Sequence, residues 1–237
     1  MYEKKFQINS NDVDSNLELR LSNLFRYMQD VASEHSAFFH ASHSELKELN
    51  YAWVVFRFEV RLFKMPKLDE EIIVSTHPGD KRAFMYPRFF EFYDSNRNLI
   101  GASSSMWAII DRSTRKVVIS PRGVGEIPGE SESNDIPLPD RIKDDADIFL
   151  EDRKVRYSEI DLNGHLNNTQ YVEYIMDTHE PSFYKSHRIK QINIDYDKEI
   201  REGDVISLFT NDEEIEIIKG TSGDTRNFIA KIVYESR

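Results

Sequence analysis

The sequence contains no cysteine. Disulfides, thiolate metal sites and a cysteine nucleophile are therefore excluded. Glycine is scarce, with 9 in 237 residues, and the glycines form no phosphate-cradling loop: Gly123, Gly125 and Gly129 fall in a stretch without strand-to-helix context. No apolar run approaches the length of a membrane span, and MYEKKFQINS passes straight into alternating residues without a signal-peptide core. A soluble, cytoplasmic protein is expected. Basic charge is also in deficit. The formal net charge is -11, and it is uneven: residues 1–130 hold 17 Lys/Arg against 18 Asp/Glu, and residues 131–237 hold 14 against 24. Nonspecific nucleic-acid binding needs a basic surface and is not expected.

What is present is a repeat. DVDSNLELRLSNLFRYMQD (Asp12 to Asp30) aligns without a gap with EIDLNGHLNNTQYVEYIMD (Glu159 to Asp177), at an offset of 147. Asp14 falls on Asp161, Asn16 on Asn163, Glu18 on His165 and Tyr27 on Tyr174. Further on, FKMPKLDEEIIVST from Phe63 sits over YDKEIREGDVISLF from Tyr196 at an offset of 133, so the second copy is read as 14 residues shorter between helix and strand. In the first copy Leu21, Leu24, Phe25, Met28, Val31, Ala32, Phe38 and Phe39 follow helical spacing. A second short helix is expected around Glu45 to Leu49. Strands are expected in YAWVVFRFEVRLF, EEIIVSTH, AFMYPRFFEFYD, LIGASSSMWAIID and KVVIS. Residues 121–147, rich in Pro, Gly, Ser and acid, read as a linker. The second copy repeats the plan: a strand near Arg153 to Tyr157, a helix from about Asn168 to His179, then four strands. The expected class is α+β, a double hotdog of two tandem units, each with a long helix wrapped by a curved antiparallel sheet. The expected boundaries are 1–120, 121–147 and 148–237.

The chemistry concentrates in Asp161, Asn163 and His165, a polar turn entering a helix. Asn167 or Asn168 can cap that helix, whose N-terminus offers N–H groups and a positive dipole end. A carbonyl placed there would have its developing oxyanion stabilised. His165 can titrate near neutral pH, and Asp161 can orient Asn163 or His165. The bland alternative is an Asx-rich turn that only caps a helix. The aligned turn of the first copy does without the imidazole, so the fold alone does not require it. His35, His40 and His43 gather near the end of the first helix without metal-site spacing. Ser103, Ser104 and Ser105 lie in an expected strand with no nucleophile elbow. Two basic runs stand out: Arg112, Arg115, Lys116 and Arg122 in an acid-free stretch, and Lys81, Arg82 and Arg88.

On DLNGHLNNTQYVEYIMD, NYAWVVFRFEVRLF and ASSSMWAIIDRSTRKVV, in that arrangement over nearly the whole chain, the sequence resembles the acyl–acyl carrier protein thioesterases of plants and bacteria. The resemblance implies a double hotdog that hydrolyses fatty acyl–acyl carrier protein thioesters to free fatty acid, ending chain elongation, without metal or organic cofactor. It implies a network of Asp161, Asn163 and His165 with Glu199, on a later strand, as general base. Some plant members carry cysteine directly after that Glu; here the position is Ile200, so water activation by a carboxylate is favoured. The implied partner is acyl carrier protein bearing an acyl-phosphopantetheine, and a homodimer is allowed. The alternatives are an acyl-CoA thioesterase and a non-catalytic acyl-binding hotdog protein. The first unit is expected to supply the acyl pocket, from Phe25, Met28, Phe38, Phe39, Trp53 and Trp107.

Overall fold

The computed structural model describes residues 1–130 and 136–237; part of the expected linker, residues 131–135, lies outside the described residues. The chain divides into two compact units, Met1–Leu19 with Leu24–Pro139, and Arg20–Asn23 with Asp140–Arg237.

The first unit contains β1 (Tyr2–Gln7), α1 (Leu21–Ala37), α2 (His43–Glu48), β2 (Tyr51–Leu62), β3 (Glu71–Pro78), β4 (Tyr86–Asp94) and β5 (Leu99–Asp111). Its strands are antiparallel in the order β1-β3-β4-β5-β2. Leu24, Phe25, Met28, Val31 and Ala32 form the buried stripe of α1, and each large side chain contributes about 1.5–3 kcal/mol by leaving water. Phe25 meets Phe58 of β2 edge-on at 5.2 Å, and Phe58 meets Trp107 of β5 at 5.8 Å. The helix ends at Ala37 because His40 takes a left-handed conformation, φ +52°, and Ala41 N–H turns back to the Ser36 carbonyl at 3.1 Å. The apolar spacing therefore runs past the helix. Phe38 is 68% exposed, not on the buried face. Phe39 is half-buried against His35, ring centroids 5.0 Å apart. The KVVIS strand does not form either. The turn at 111–116 leaves only Val117 to bridge Ile110 before Pro121 turns the chain.

The second unit contains β6 (Ile148–Lys154), α3 (Asn168–Met176), β7 (His187–Tyr196), β8 (Val205–Thr210), β9 (Glu216–Ser222) and β10 (Thr225–Ser236), with single 3-10 turns at Tyr157–Glu159 and Phe183–Lys185. Its antiparallel order, β7-β10-β9-β8-β6, is that of the first unit strand for strand. Asn167 is the N-cap of α3; its Oδ1 accepts from Thr169 N–H at 3.0 Å. Tyr171, Val172, Tyr174 and Ile175 face the core, and the Tyr171 ring stands edge-on to Tyr196 of β7 and Phe228 of β10, each at 5.2 Å. α3 stops at Met176, short of His179, because side chains take its last carbonyls: Tyr184 OH donates to Met176 at 2.7 Å and Thr178 Oγ1 to Ile175 at 2.7 Å. Ile142 and Ala146, just before β6, are buried with Ile217 and Ile229. Among the described residues no helix is long and apolar enough to cross a membrane.

Candidate active site

Asp161 organises the turn ahead of α3. Its Oδ1 accepts from the backbone N–H groups of Asn163 at 2.8 Å and His165 at 3.1 Å, and its Oδ2 accepts from Asn163 Nδ2 at 3.4 Å. The Asp161 N–H donates to the His165 carbonyl at 2.8 Å, which closes the loop. A short carboxylate side chain competes well for such local donors. Gly164 has φ +81° with open space where a Cβ would stand, so glycine serves the backbone there and not packing.

Glu199 lies in the loop after β7, which ends at Tyr196, and so is not on a strand as the sequence led one to expect. The loop is tied to the turn through the backbone. Leu166 N–H donates to the Ile200 carbonyl at 2.8 Å, and His165 bridges Arg201. Asp204 holds the far side: its carboxylate accepts from Arg201 N–H at 2.8 Å, and its carbonyl from Val155 N–H at 2.9 Å. These ties bring His165 Nε2 to 3.2 Å from Glu199 Oε2, with side chains 17% and 39% exposed. Two other acids of this region are engaged elsewhere. Asp195 accepts from Ile142 N–H at 3.0 Å, and Asp197 pairs with Arg226 at 2.7 Å. Ile200 is fully buried, so the position after the acid is a core contact. Burial, reinforced by the Asp161 charge, raises the Tyr171 hydroxyl above its ordinary range.

A further brace lies beneath the turn. Glu159 Oε2 accepts from Arg156 N–H at 2.7 Å and from Tyr174 OH at 2.9 Å, while the Glu159 carbonyl accepts from the N–H of the cap residue Asn167 at 2.9 Å. Burial and the bond to Glu159 raise the Tyr174 hydroxyl. Arg153 lies over the Tyr174 ring at 4.2 Å and pairs with Asp177 at 2.8 Å. The sequence reading assigned no role to Glu159, Tyr174 or Asp204. The first two were findable, because they align with Asp12 and Tyr27.

The first unit builds the same cradle. Asp14 Oδ1 accepts from Asn16 N–H at 2.8 Å and Glu18 N–H at 3.1 Å, and Oδ2 from Asn16 Nδ2 at 3.3 Å. Leu19 N–H donates to the Pro66 carbonyl at 2.8 Å, Glu18 bridges Lys67, and Lys67 N–H donates to Glu70 at 2.8 Å. Pro66, Lys67 and Glu70 thus match Ile200, Arg201 and Asp204, an offset of 134. The alignment at 133 is therefore one residue out. Where the second unit has His165 and Glu199, the first has Glu18 and Met65.

The remaining candidates have structural surroundings. His35 is buried, with Nδ1 3.3 Å from Arg88 Nη1 and its ring stacked on Tyr2 at 5.7 Å; burial, with the Arg88 charge second, lowers its pKa to about 4. His40 meets Glu45 at 3.1 Å, and His43 opens α2. Ser104 Oγ donates to the Pro137 carbonyl at 2.6 Å, and Ser105 Oγ to the Arg88 carbonyl at 3.0 Å. Gly125 lies where a Cβ would strike the Phe39 carbonyl oxygen at 2.2 Å. Phe25 and Met28 are fully buried, and the indole N–H groups of Trp53 and Trp107 donate to the Ala41 carbonyl at 2.9 Å and Ser105 Oγ at 2.8 Å.

Family models described as the acyl-ACP thioesterase N-terminal domain and C-terminal domain match residues 1–124 and 142–230. Oleoyl-acyl carrier protein thioesterase 2, chloroplastic, of Arabidopsis thaliana is 23% identical over 248 residues, covering 94% of this chain and 67% of that protein. Palmitoyl-acyl carrier protein thioesterase, chloroplastic, of Cuphea hookeriana is 20% identical over 228 residues, covering 89% of this chain and 54% of that protein. The chain thus spans between half and two thirds of the length of these curated relatives. The crystal structure of an acyl-ACP thioesterase from Bacteroides thetaiotaomicron VPI-5482 superposes with a TM-score of 0.91 at 28% identity, over 98% of this chain and 97% of that one. The 12:0-ACP thioesterase from Umbellularia californica shares the fold, with a TM-score of 0.84 at 19% identity over 100% and 97% of the two chains. With one domain model matching each half of a double hotdog, the chain belongs to the acyl-ACP thioesterase family.

Proposed function

We propose that this protein hydrolyses fatty acyl–acyl carrier protein thioesters, using water as the nucleophile and Asp161, Asn163, His165 and Glu199 as its catalytic set. The observation that carries the reading is the His165–Glu199 pair, 3.2 Å apart and held from both sides by backbone ties. Glu199 is the general base: its carboxylate takes a proton from water as the water oxygen attacks the thioester carbon. The carbonyl oxygen becomes an oxyanion, supported by the Asn163 amide, the imidazole of His165 and the positive end of α3. Collapse of this intermediate breaks the C–S bond. The sulfur leaves as the thiol of the carrier's phosphopantetheine arm, taking up the proton held by the His165–Glu199 pair. Asp161 positions the two donors. The cytoplasmic setting and the homodimer belong to the same reading, tested by cell fractionation and light scattering.

The test is a paired assay with one acyl chain presented on acyl carrier protein and on CoA. Faster release from the carrier is the expected result. Faster turnover of the CoA ester would make this an acyl-CoA thioesterase, and saturable acyl binding without turnover would make it an acyl-binding protein.

A further inference from the structure

Two acid-free stretches of the first unit, 81–90 and 112–125, carry clustered basic residues. Although distant in sequence, they meet in space. Lys81 Nζ donates to the Ile119 carbonyl at 2.8 Å. Val118 N–H donates to the Ile109 carbonyl at 2.8 Å and Val117 bridges Ile110, so residues 117–119 run beside the end of β5. Just before that end, Trp107 of β5 is paired with Tyr86, the first residue of β4. The turn entering β4 is closed by reciprocal hydrogen bonds between Arg82 and Met85, both 2.9 Å, and presents Lys81 and Arg82 at the same edge. The two runs that look separate in sequence are therefore one surface.

Lys81, Arg82, Arg115, Lys116 and Arg122 are exposed on it. Ile119, 65% exposed, and Phe84, 39% exposed, lie among them. No ion pair engages Arg82, Lys116 or Arg122 among the described residues. The acid that precedes the second stretch, Asp111, is occupied within its own turn, accepting from Thr114 N–H at 2.7 Å, Ser113 N–H at 3.0 Å and Asn50 Nδ2 at 3.1 Å. Arg88 makes no contribution despite its place in the first stretch, because it is buried beneath β4 with Thr76, Ser36 and His35 around its guanidinium.

Exposed cations around exposed apolar side chains are the composition of a docking surface for an acidic partner. The chain as a whole, at net charge -11, repels such a partner, so the local field must supply both attraction and orientation. We propose that this surface docks the acidic carrier protein that presents the acyl thioester. The inference rests on the hydrolase reading above and assigns the carrier's place on the first unit.

Two double variants test it, Lys81→Glu/Arg82→Glu and Lys116→Glu/Arg122→Glu, each checked for folding by circular dichroism. Among the described residues neither side chain of the second pair is hydrogen-bonded, so this pair reports on charge. Expected for each at low salt is a rise of about tenfold in KM for acyl carrier protein substrate, as for loss of steering charges, with a flatter salt dependence. Hydrolysis of a small acyl thioester should be unchanged. Ile119→Asp should weaken binding of a non-hydrolysable acyl carrier protein, measured by fluorescence anisotropy, while the salt slope persists. If the wild type hydrolyses acyl carrier protein substrate and both double variants keep its KM, the surface assignment is overturned and the hydrolase reading stands. If the wild type cleaves small thioesters but neither binds nor cleaves the carrier substrate, both are overturned.

Discussion

The turn at Asp14–Leu19 and the turn at Asp161–Leu166 are the same object at the backbone and different objects chemically. In both, one aspartate oxygen gathers two N–H groups, a side-chain amide returns to the other oxygen, and the loop after a strand, β2 or β7, is stitched alongside. Only the second carries an imidazole facing a carboxylate. The comparison teaches that the hydrogen-bonded cradle comes with the fold, met twice, and that the second copy differs by two side chains, His165 and Glu199, which the proposed function makes the reacting pair. It also separates what the Asp161 motif does for stability from what it does for reaction, since the first copy is a built-in control.

The strongest way to break this comparison is to strip the chemistry from the second copy. His165→Ala and Glu199→Ala should each lower turnover about 100-fold or more, as for loss of a proton-transfer or oxyanion group. Glu18→Ala and Met65→Ala, the matching changes in the first copy, should leave turnover per folded molecule unaltered. Near-wild-type rates in both second-copy variants, with folding confirmed, would remove His165 and Glu199 from the mechanism.

The aspartates come next. Asp14→Ala and Asp161→Ala each leave two backbone N–H groups without their acceptor, at a cost of about 1–3 kcal/mol measured by urea unfolding. Only Asp161→Ala should also depress kcat, since misplacing the reacting groups is costly. Equal losses of kcat in both variants would mean that the first turn takes part in the reaction.

The end of α1 adds a pH dependence of its own. His35, at the end of α1, stays neutral in the folded protein down to about pH 4, whereas in the unfolded chain it takes up a proton near its ordinary value of about 6.5. The unfolded state binds the extra proton in that interval, so this contribution to stability is fully present above about pH 6.5 and declines as pH falls towards 4. His35→Gln should flatten the pH dependence of denaturant midpoints between pH 7 and 5. An unchanged slope would show that other groups set it.

The smallest effect is expected at the turn tips. Leu17 has φ +62° where the second copy has Gly164 at φ +81°. A left-handed leucine costs about 1–2 kcal/mol, offset by about 0.5–1 kcal/mol for the extra freedom of glycine when unfolded. Leu17→Gly should therefore stabilise slightly, and Gly164→Ala destabilise slightly without a clash, as thermal midpoints can show.

The sequence by itself determined the elements and their duplication. Apolar periodicity gave α1 its buried stripe, alternation at Phe56, Phe58, Val60 and Leu62 gave β2, and the gapless 19-residue repeat at an offset of 147 showed that one layout was built twice. That repeat, with Glu18 facing His165 in alignment, also singled out the imidazole. Local spacing is enough for such readings because helix and strand periods are local properties of the chain. It was not enough where termination depends on distant groups. Phe38 kept the helical spacing but fell beyond a helix that His40 ends, and KVVIS kept β-propensity but meets β5 only at Val117 and Val118 before Pro121 turns the chain. Nor could it choose Glu199 from Asp195, Asp197 and Glu202 without the family resemblance. That choice is made in space by Ile200 and Leu166, whose backbone bond brings one carboxylate to the imidazole, while Arg226 and the Ile142 N–H take others. The merging of two basic runs into one surface, and the removal of Arg88 from it, were likewise tertiary decisions. Charge is written in the sequence, but which charges share a surface depends on which strands lie side by side.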